Sequence, residues 1–156
     1  MGTLNLKKVI NLDQGFEIIN STIKKALESE EIEIKLNDIA IIYPSIGYSS
    51  RHIDNEIRDL NYVYQKHTSR SPIDRSNNII NVLSSRYCKG LDYKLVFLIH
   101  FEELNISKDD YQESKEAENL YVALTRTTNY AFIISSKPSV LIDVLFEENV
   151  DNINMT

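Results

Sequence analysis

Apolar runs rich in β-branched residues recur along this chain, and the stretches between most of them repeat with a helical period. That alternation narrows the folds open to it more than any other feature. The runs are IAIIY at Ile39–Tyr43, YVYQ at 62–65, IINVLSS at 79–85, KLVFLIH at 94–100 and AFIIS at 131–135, with KKVINL at 7–12 a candidate sixth. Several are apolar throughout rather than alternating, the pattern of strands covered on both faces. Phe16, Ile19, Ile23, Ala26 and Leu27 recur at helical spacing, with Asp13 as the expected N-cap. Ile53, Ile57 and Leu60 mark a second helix, and Ala117, Leu120, Tyr121 and Leu124 a third. Pro138 opens a fourth, with Val140, Leu141, Val144 and Leu145. Strands alternating with helices predict an α/β domain with a mostly parallel sheet, and such sheets take ligands at the carboxyl ends of their strands.

A chain of 156 residues suits one domain, expected over residues 1–150, with a polar, disordered tail at 151–156. Seventeen basic against 23 acidic residues give a net charge of −6. A dedicated nucleic-acid domain usually carries a basic excess, so any nucleic-acid contact here is expected to be local or shared with another domain. The single cysteine, Cys88, allows no internal disulfide and suits the cytoplasm. No apolar run reaches the ~20 residues of a membrane span. The first residues lack the apolar core of a signal peptide, so none is expected. Three scattered histidines and one cysteine make no metal-site spacing. The stretches 66–78 and 103–116 read as polar loops.

Two segments carry chemistry. SSRYCKGLDY, at 84–93, leaves one predicted strand, turns at Gly90 and enters another. Ser84, Ser85, Arg86 and Lys89 are phosphate-binding residue types. Asp92 adds a carboxylate that could accept hydrogen bonds from a ribose. The plainer alternative is a solvated connection with ordinary charges. In KEAENLYVALTRTTNYAFIIS, at 115–135, Arg126 stands two residues beyond Leu124. At ~100° per residue that is about 200° round the helix, away from the apolar face. Here the plainer alternative is an arginine complementing the negative end of a helix dipole.

Together the two segments resemble motifs of the superfamily 1 helicases of the UvrD/Rep type. Ser84 to Asp92 is similar to T-x-H-x-x-K-G-L-E, and Glu116 to Thr127 is similar to E-x-x-x-x-Y-V-A-L-T-R-A. The stretch 38–57 also looks like the strand and helix that open that family's second RecA-like domain. The resemblance implies a three-layer RecA-like fold of the P-loop NTPase type, with about five or six strands and no phosphate loop of its own. It implies that Arg126 is an arginine finger for the γ-phosphate of ATP, worth about 10³–10⁵ in rate. Asp92 matches the glutamate that contacts the nucleotide sugar, Gly90 shapes the loop, and Glu116 orients neighbouring groups of the ATP site. Ser84, Arg86 and Lys89 are implied to line the single-strand track. DNA is expected over RNA by family analogy alone.

The chain also departs from that pattern. Asp92 is one methylene shorter than glutamate, Arg86 replaces histidine, and Pro44 stands where many relatives place an arginine. Ala117 and Glu118 replace residues that are usually basic. No G-x-x-x-x-G-K-[ST] occurs, nor an acidic magnesium motif of the helicase type. ATP and Mg²⁺ would therefore need an N-terminal RecA-like domain as partner. The contrasting readings are a stand-alone, non-catalytic nucleic-acid- or protein-binding module that kept the fold, and an unrelated doubly wound domain binding a small ligand.

Overall fold

The computed structural model describes residues 3–9, 11–44, 53–67, 75–88, 91–103, 118, 121–122, 124–125, 127–139, 142–143 and 153–155. They contain seven strands: β1 Thr3–Lys8, β2 Ile39–Tyr43, β3 Tyr64–Lys66, β4 Ile80–Ser84, β5 Tyr93–Ile99, β6 Thr127–Ser135 and β7 Ile153–Met155. All pair in parallel, in the order β3-β4-β2-β5-β6-β1-β7. Successive side chains of a strand point to opposite faces, so β2, β4 and β5, buried at nearly every position, feed two cores. On one face Phe16, Ile19, Ile23, Ile53 and Ile57 pack against Ile39, Ile41, Val82, Leu95 and Phe97. On the other, Leu124, Ile142 and Phe101 pack against Ala40, Ile42, Leu83, Val96, Leu98 and Ile133. The result is a three-layer α/β fold with a parallel central sheet.

Helix α1, Leu12–Glu28, presents Phe16, Ile19 and Ile23 to the sheet, as its spacing requires. Its N-cap is Asn11 rather than Asp13: the Asn11 Oδ1 accepts from the Gln14 N–H at 3.0 Å. Asp13 lies in the first turn, where a carboxylate complements the helix dipole. The same cap ends the first strand early. β1 covers Thr3–Lys8 and not 7–12, because Asn11 already starts the helix.

Gly15 lets α1 approach β6 closely, since a Cβ there would stand 2.8 Å from the Ile134 Cγ2. Gly15→Ala should gain about 1 kcal/mol of helix propensity. Crowding a branched methyl carbon of a packed core costs about 1–3 kcal/mol. The expected net loss is about 1 kcal/mol, read as a lower urea midpoint with unchanged slope. A raised midpoint would mean that Ile134 yields freely.

Other boundaries shift as well. β6 starts four residues before the apolar run that announced it, at Thr127. Residues 53–56 form a single helical turn that tightens into the 3-10 turn Ile57–Asp59, with Ile53, Ile57 and Leu60 buried. In the third predicted helix, Leu124 is buried and Val122 packs beside it, whereas Tyr121 is half-exposed. A tyrosine can keep its hydroxyl in water at such a rim. Ala117 and Leu120 lie outside the described residues, as do Val140, Leu141, Val144 and Leu145. Ser139 caps the turn at 142–143, its Oγ accepting from the Ile142 N–H at 3.3 Å. Within the expected tail, Ile153–Met155 adds to β1 as an edge strand. No described helix is long and apolar enough to cross a membrane.

Candidate functional site

β4 and β5 are not neighbours, because β2 lies between them. The segment 85–92 is therefore a crossover between strands that do not pair with each other. It starts at the carboxyl end of β4, crosses one face of the sheet, and arrives at the amino end of β5. Ser85–Tyr87 forms a 3-10 turn, and the buried Cys88 Sγ donates to the Ser85 carbonyl at 3.0 Å. The Leu91 N–H donates to the Cys88 carbonyl at 3.2 Å, while Tyr87 and Leu91 pack onto the core of that face.

This path divides the predicted site residues between two edges. Ser84 is buried at the carboxyl end of β4, and Arg86 is exposed just beyond it. Asp92 is exposed at the opposite edge, immediately before β5. Ser84 and Arg86 thus stand at a carboxyl end, where such sheets take ligands, and Asp92 stands at an amino end. In a parallel sheet every crossover must return to the amino edge, so a motif that spans one has an end at each. Lys89, Gly90, Glu116 and Arg126 lie outside the described residues. Their flanks are informative: Tyr93, the residue after Asp92, pairs with Thr127, the residue after Arg126.

The amino edge is braced by Arg75, which the sequence did not single out. Its Nε and Nη2 donate to the Asn37 carbonyl at 3.3 and 3.1 Å, and its Nη1 donates to the Asp92 carbonyl. The guanidinium carbon lies 4.4 Å from the centre of the Tyr93 ring. Asp38, just before β2, stands 3.8 Å from both Arg75 and Lys94. Burial pushes the Tyr93 phenol above its usual pKa, and Arg75 and Asn81 partly offset it. Asn81 is near enough to act on that phenol, yet neither its Nδ2 nor the Tyr93 hydroxyl closes a hydrogen bond of good geometry. The Asn81 Oδ1 is met instead by Gln65 Nε2 at 2.7 Å and His67 Nε2 at 2.8 Å.

The carboxyl edge holds a second feature without a sequence signal. The chain leaves β2 toward β3 and leaves β5 toward β6, so a topological switch falls between β2 and β5. His100, directly after β5, is buried and adopts φ 69°, a left-handed conformation rare outside glycine. Its Nε2 pairs with the Glu56 carboxylate. Both line a pocket of about 300 Å³, together with Asn11, Glu102 and Ser136. Nearby, Lys66 bridges to Asp54 at 2.8 Å. Burial, then Asp54, then Tyr87 raise the pKa of Tyr43. Pro44, next to it, is buried and offers no cation.

No protein-family model and no curated protein matches this chain by sequence. Solved structures do match it by shape. The C-terminal domain of a possible DNA helicase from Lactobacillus plantarum superposes with a TM-score of 0.65 at 15% identity, over 99% of this chain and 84% of that one. The Sulfolobus solfataricus SWI2/SNF2 ATPase core in complex with dsDNA gives 0.53 at 15% identity, over 97% of this chain and 29% of that one. The large terminase of bacteriophage HK97 gives 0.56 at 14% identity, over 99% and 35%. At such identities the likeness establishes the fold alone, a RecA-like α/β domain. This chain spans only about a third of the latter two proteins.

Proposed function

We propose that this chain is the C-terminal motor domain of an ATP-dependent DNA helicase of the UvrD/Rep type. It contributes the arginine finger Arg126 and the sugar contact Asp92 to an ATP site completed by an N-terminal RecA-like domain. The observation that carries this reading is the β5–β6 register, which pairs the residue following Asp92 with the residue following Arg126. Neighbouring strands run about 4.8 Å apart, so two motifs separated by 34 positions in the sequence begin adjacent strands at one edge. A carboxylate for ribose hydroxyls beside a guanidinium for phosphate oxygens is the donor set that half a nucleotide site requires. The phosphate cradle and the carboxylates for Mg²⁺ would come from the partner domain, and Mg²⁺ would neutralise charge on the phosphates there. Gly90 and Glu116 would shape the site around these two groups.

At the opposite edge Ser84 and Arg86, with Lys89 farther along the crossover, would touch the backbone of a single DNA strand. Such contacts are sequence-tolerant and weaken with salt. The crossover 85–92 joins the two edges, which gives nucleotide state and strand contact a short covalent link. The purified chain should hydrolyse no ATP by itself. Turnover that persists after Arg126→Ala would sink this division of labour.

The buried Pro44, which leaves one expected cation missing, favours a second reading: a non-catalytic binding module. In that case Arg126→Ala leaves partner binding unchanged, and no nucleotide is bound.

A further inference from the structure

Arg75 lies in the polar stretch between β3 and β4 and, among the described residues, is the most heavily engaged cation at the amino edge. All three guanidinium nitrogens have partners: Nε and Nη2 on the Asn37 carbonyl, Nη1 on the Asp92 carbonyl, and Nη2 also 3.8 Å from the Asp38 carboxylate. One face of the group covers the Tyr93 ring. The Asn37 Nδ2 in turn donates to the Arg75 carbonyl at 3.0 Å, which anchors the backbone of Arg75 as well. With every donor nitrogen engaged within the chain, Arg75 is poorly suited to be a phosphate ligand itself. The Asp92 carboxylate is different: it is exposed and makes no hydrogen bond or ion pair among the described residues.

We infer that Arg75 is a positioning residue for the nucleotide-sugar contact. Its guanidinium ties the Asp92 backbone to the amino end of β2, so that the Asp92 carboxylate is held beside the start of β6. This inference rests on the nucleotide reading of that edge. The task suits arginine and not lysine, because a planar fork can donate in two directions while stacking on a ring, and a single ammonium cannot. The arrangement also compensates for the shorter side chain at position 92. An aspartate reaches less far than a glutamate, so its backbone must be held where the short arm is sufficient.

The test uses the 156-residue chain and its Arg75→Lys and Arg75→Gln variants. Nitrogen-15 relaxation should show the amides of Leu91 and Asp92 rigid in the parent, with order parameters of about 0.85, and below about 0.6 in both variants, while β5 and β6 stay rigid. In a protein that joins the parent domain to its phosphate-loop partner, titration with millimolar ATP·Mg should shift the Asp92 and Thr127 amides. Arg75→Lys should weaken that binding about tenfold, and the loss should vanish in an Asp92→Asn background. Unchanged order at Asp92 overturns the role of Arg75, as does a tenfold loss that persists without the Asp92 carboxylate. Absence of any ATP-induced shift in that joined protein overturns the nucleotide reading itself, whatever the relaxation data show.

Discussion

Arg126→Ala should lower ATP turnover by about 10³-fold or more in a protein that joins this domain to its phosphate-loop partner, while single-strand affinity changes by less than about threefold. The asymmetry follows from where charge develops. In phosphoryl transfer negative charge spreads over the transferred oxygens, and a guanidinium with fixed donors stabilises that distribution more than it stabilises bound ATP. The strand contacts proposed for Ser84 and Arg86 lie at the opposite edge of the sheet, the length of a strand away. Removing Arg126 should therefore leave the salt dependence of DNA binding as it was. Steady-state turnover beside fluorescence-anisotropy binding reads both. Parallel losses in turnover and binding, accompanied by a lower melting temperature, would mean that Arg126 supports the fold instead.

His100→Val should be among the most destabilising single substitutions in the chain. A β-branched residue in the left-handed region is a steric outlier, and an ordinary side chain there already costs about 1–2 kcal/mol. The substitution also removes a hydrogen-bond partner of the Glu56 carboxylate, and leaving a largely buried charged acceptor short of a partner costs about 1–3 kcal/mol. Glu56 keeps 20% of its side-chain surface, which puts that penalty toward the low end. A combined loss of about 3 kcal/mol corresponds to a melting temperature lower by roughly 10 °C for a domain of this size. His100→Gly separates the two causes. Glycine adopts the same φ without strain, so it should lose the contacts of the imidazole, the one to Glu56 among them, but gain no strain, and fall between the parent and the valine variant. Equal losses for glycine and valine would show that backbone strain contributes nothing at this position.

The reach of the sequence differs between elements for definite reasons. β2, β4 and β5 were legible because strands buried on both faces are apolar at most positions. The inner face of α1 was legible because Phe16, Ile19 and Ile23 follow the helical period. β6 was legible only in part. Thr127 and Thr128 are polar, and their place in the strand depends on pairing with β5. The tail was less legible still, since Ile153–Met155 becomes a strand only through β1.

For the site, local sequence could nominate Asp92 and Arg126 as residue types in recognisable motifs, but not relate them in space. The segment between β4 and β5 is legible as a connection between two strands, but the insertion of β2 between them is set by contacts distant in the chain. Arg75 and His100 carried no signal at all. An arginine in a polar loop and a histidine at the end of an apolar run are common, and what marks these two is the partner each meets: Asp92 for one, Glu56 for the other.

The sequence by itself determined the fold class, the two-sided burial of the central strands and the residue types that could meet a nucleotide, because these depend on period, burial and side-chain chemistry along a local stretch. Only the tertiary structure decided the strand order, the division of the motif between two edges, and the register that brings the flanks of Asp92 and Arg126 together. Those depend on hydrogen bonds between strands far apart in the chain, and no local pattern encodes which strand a given strand will choose as its neighbour.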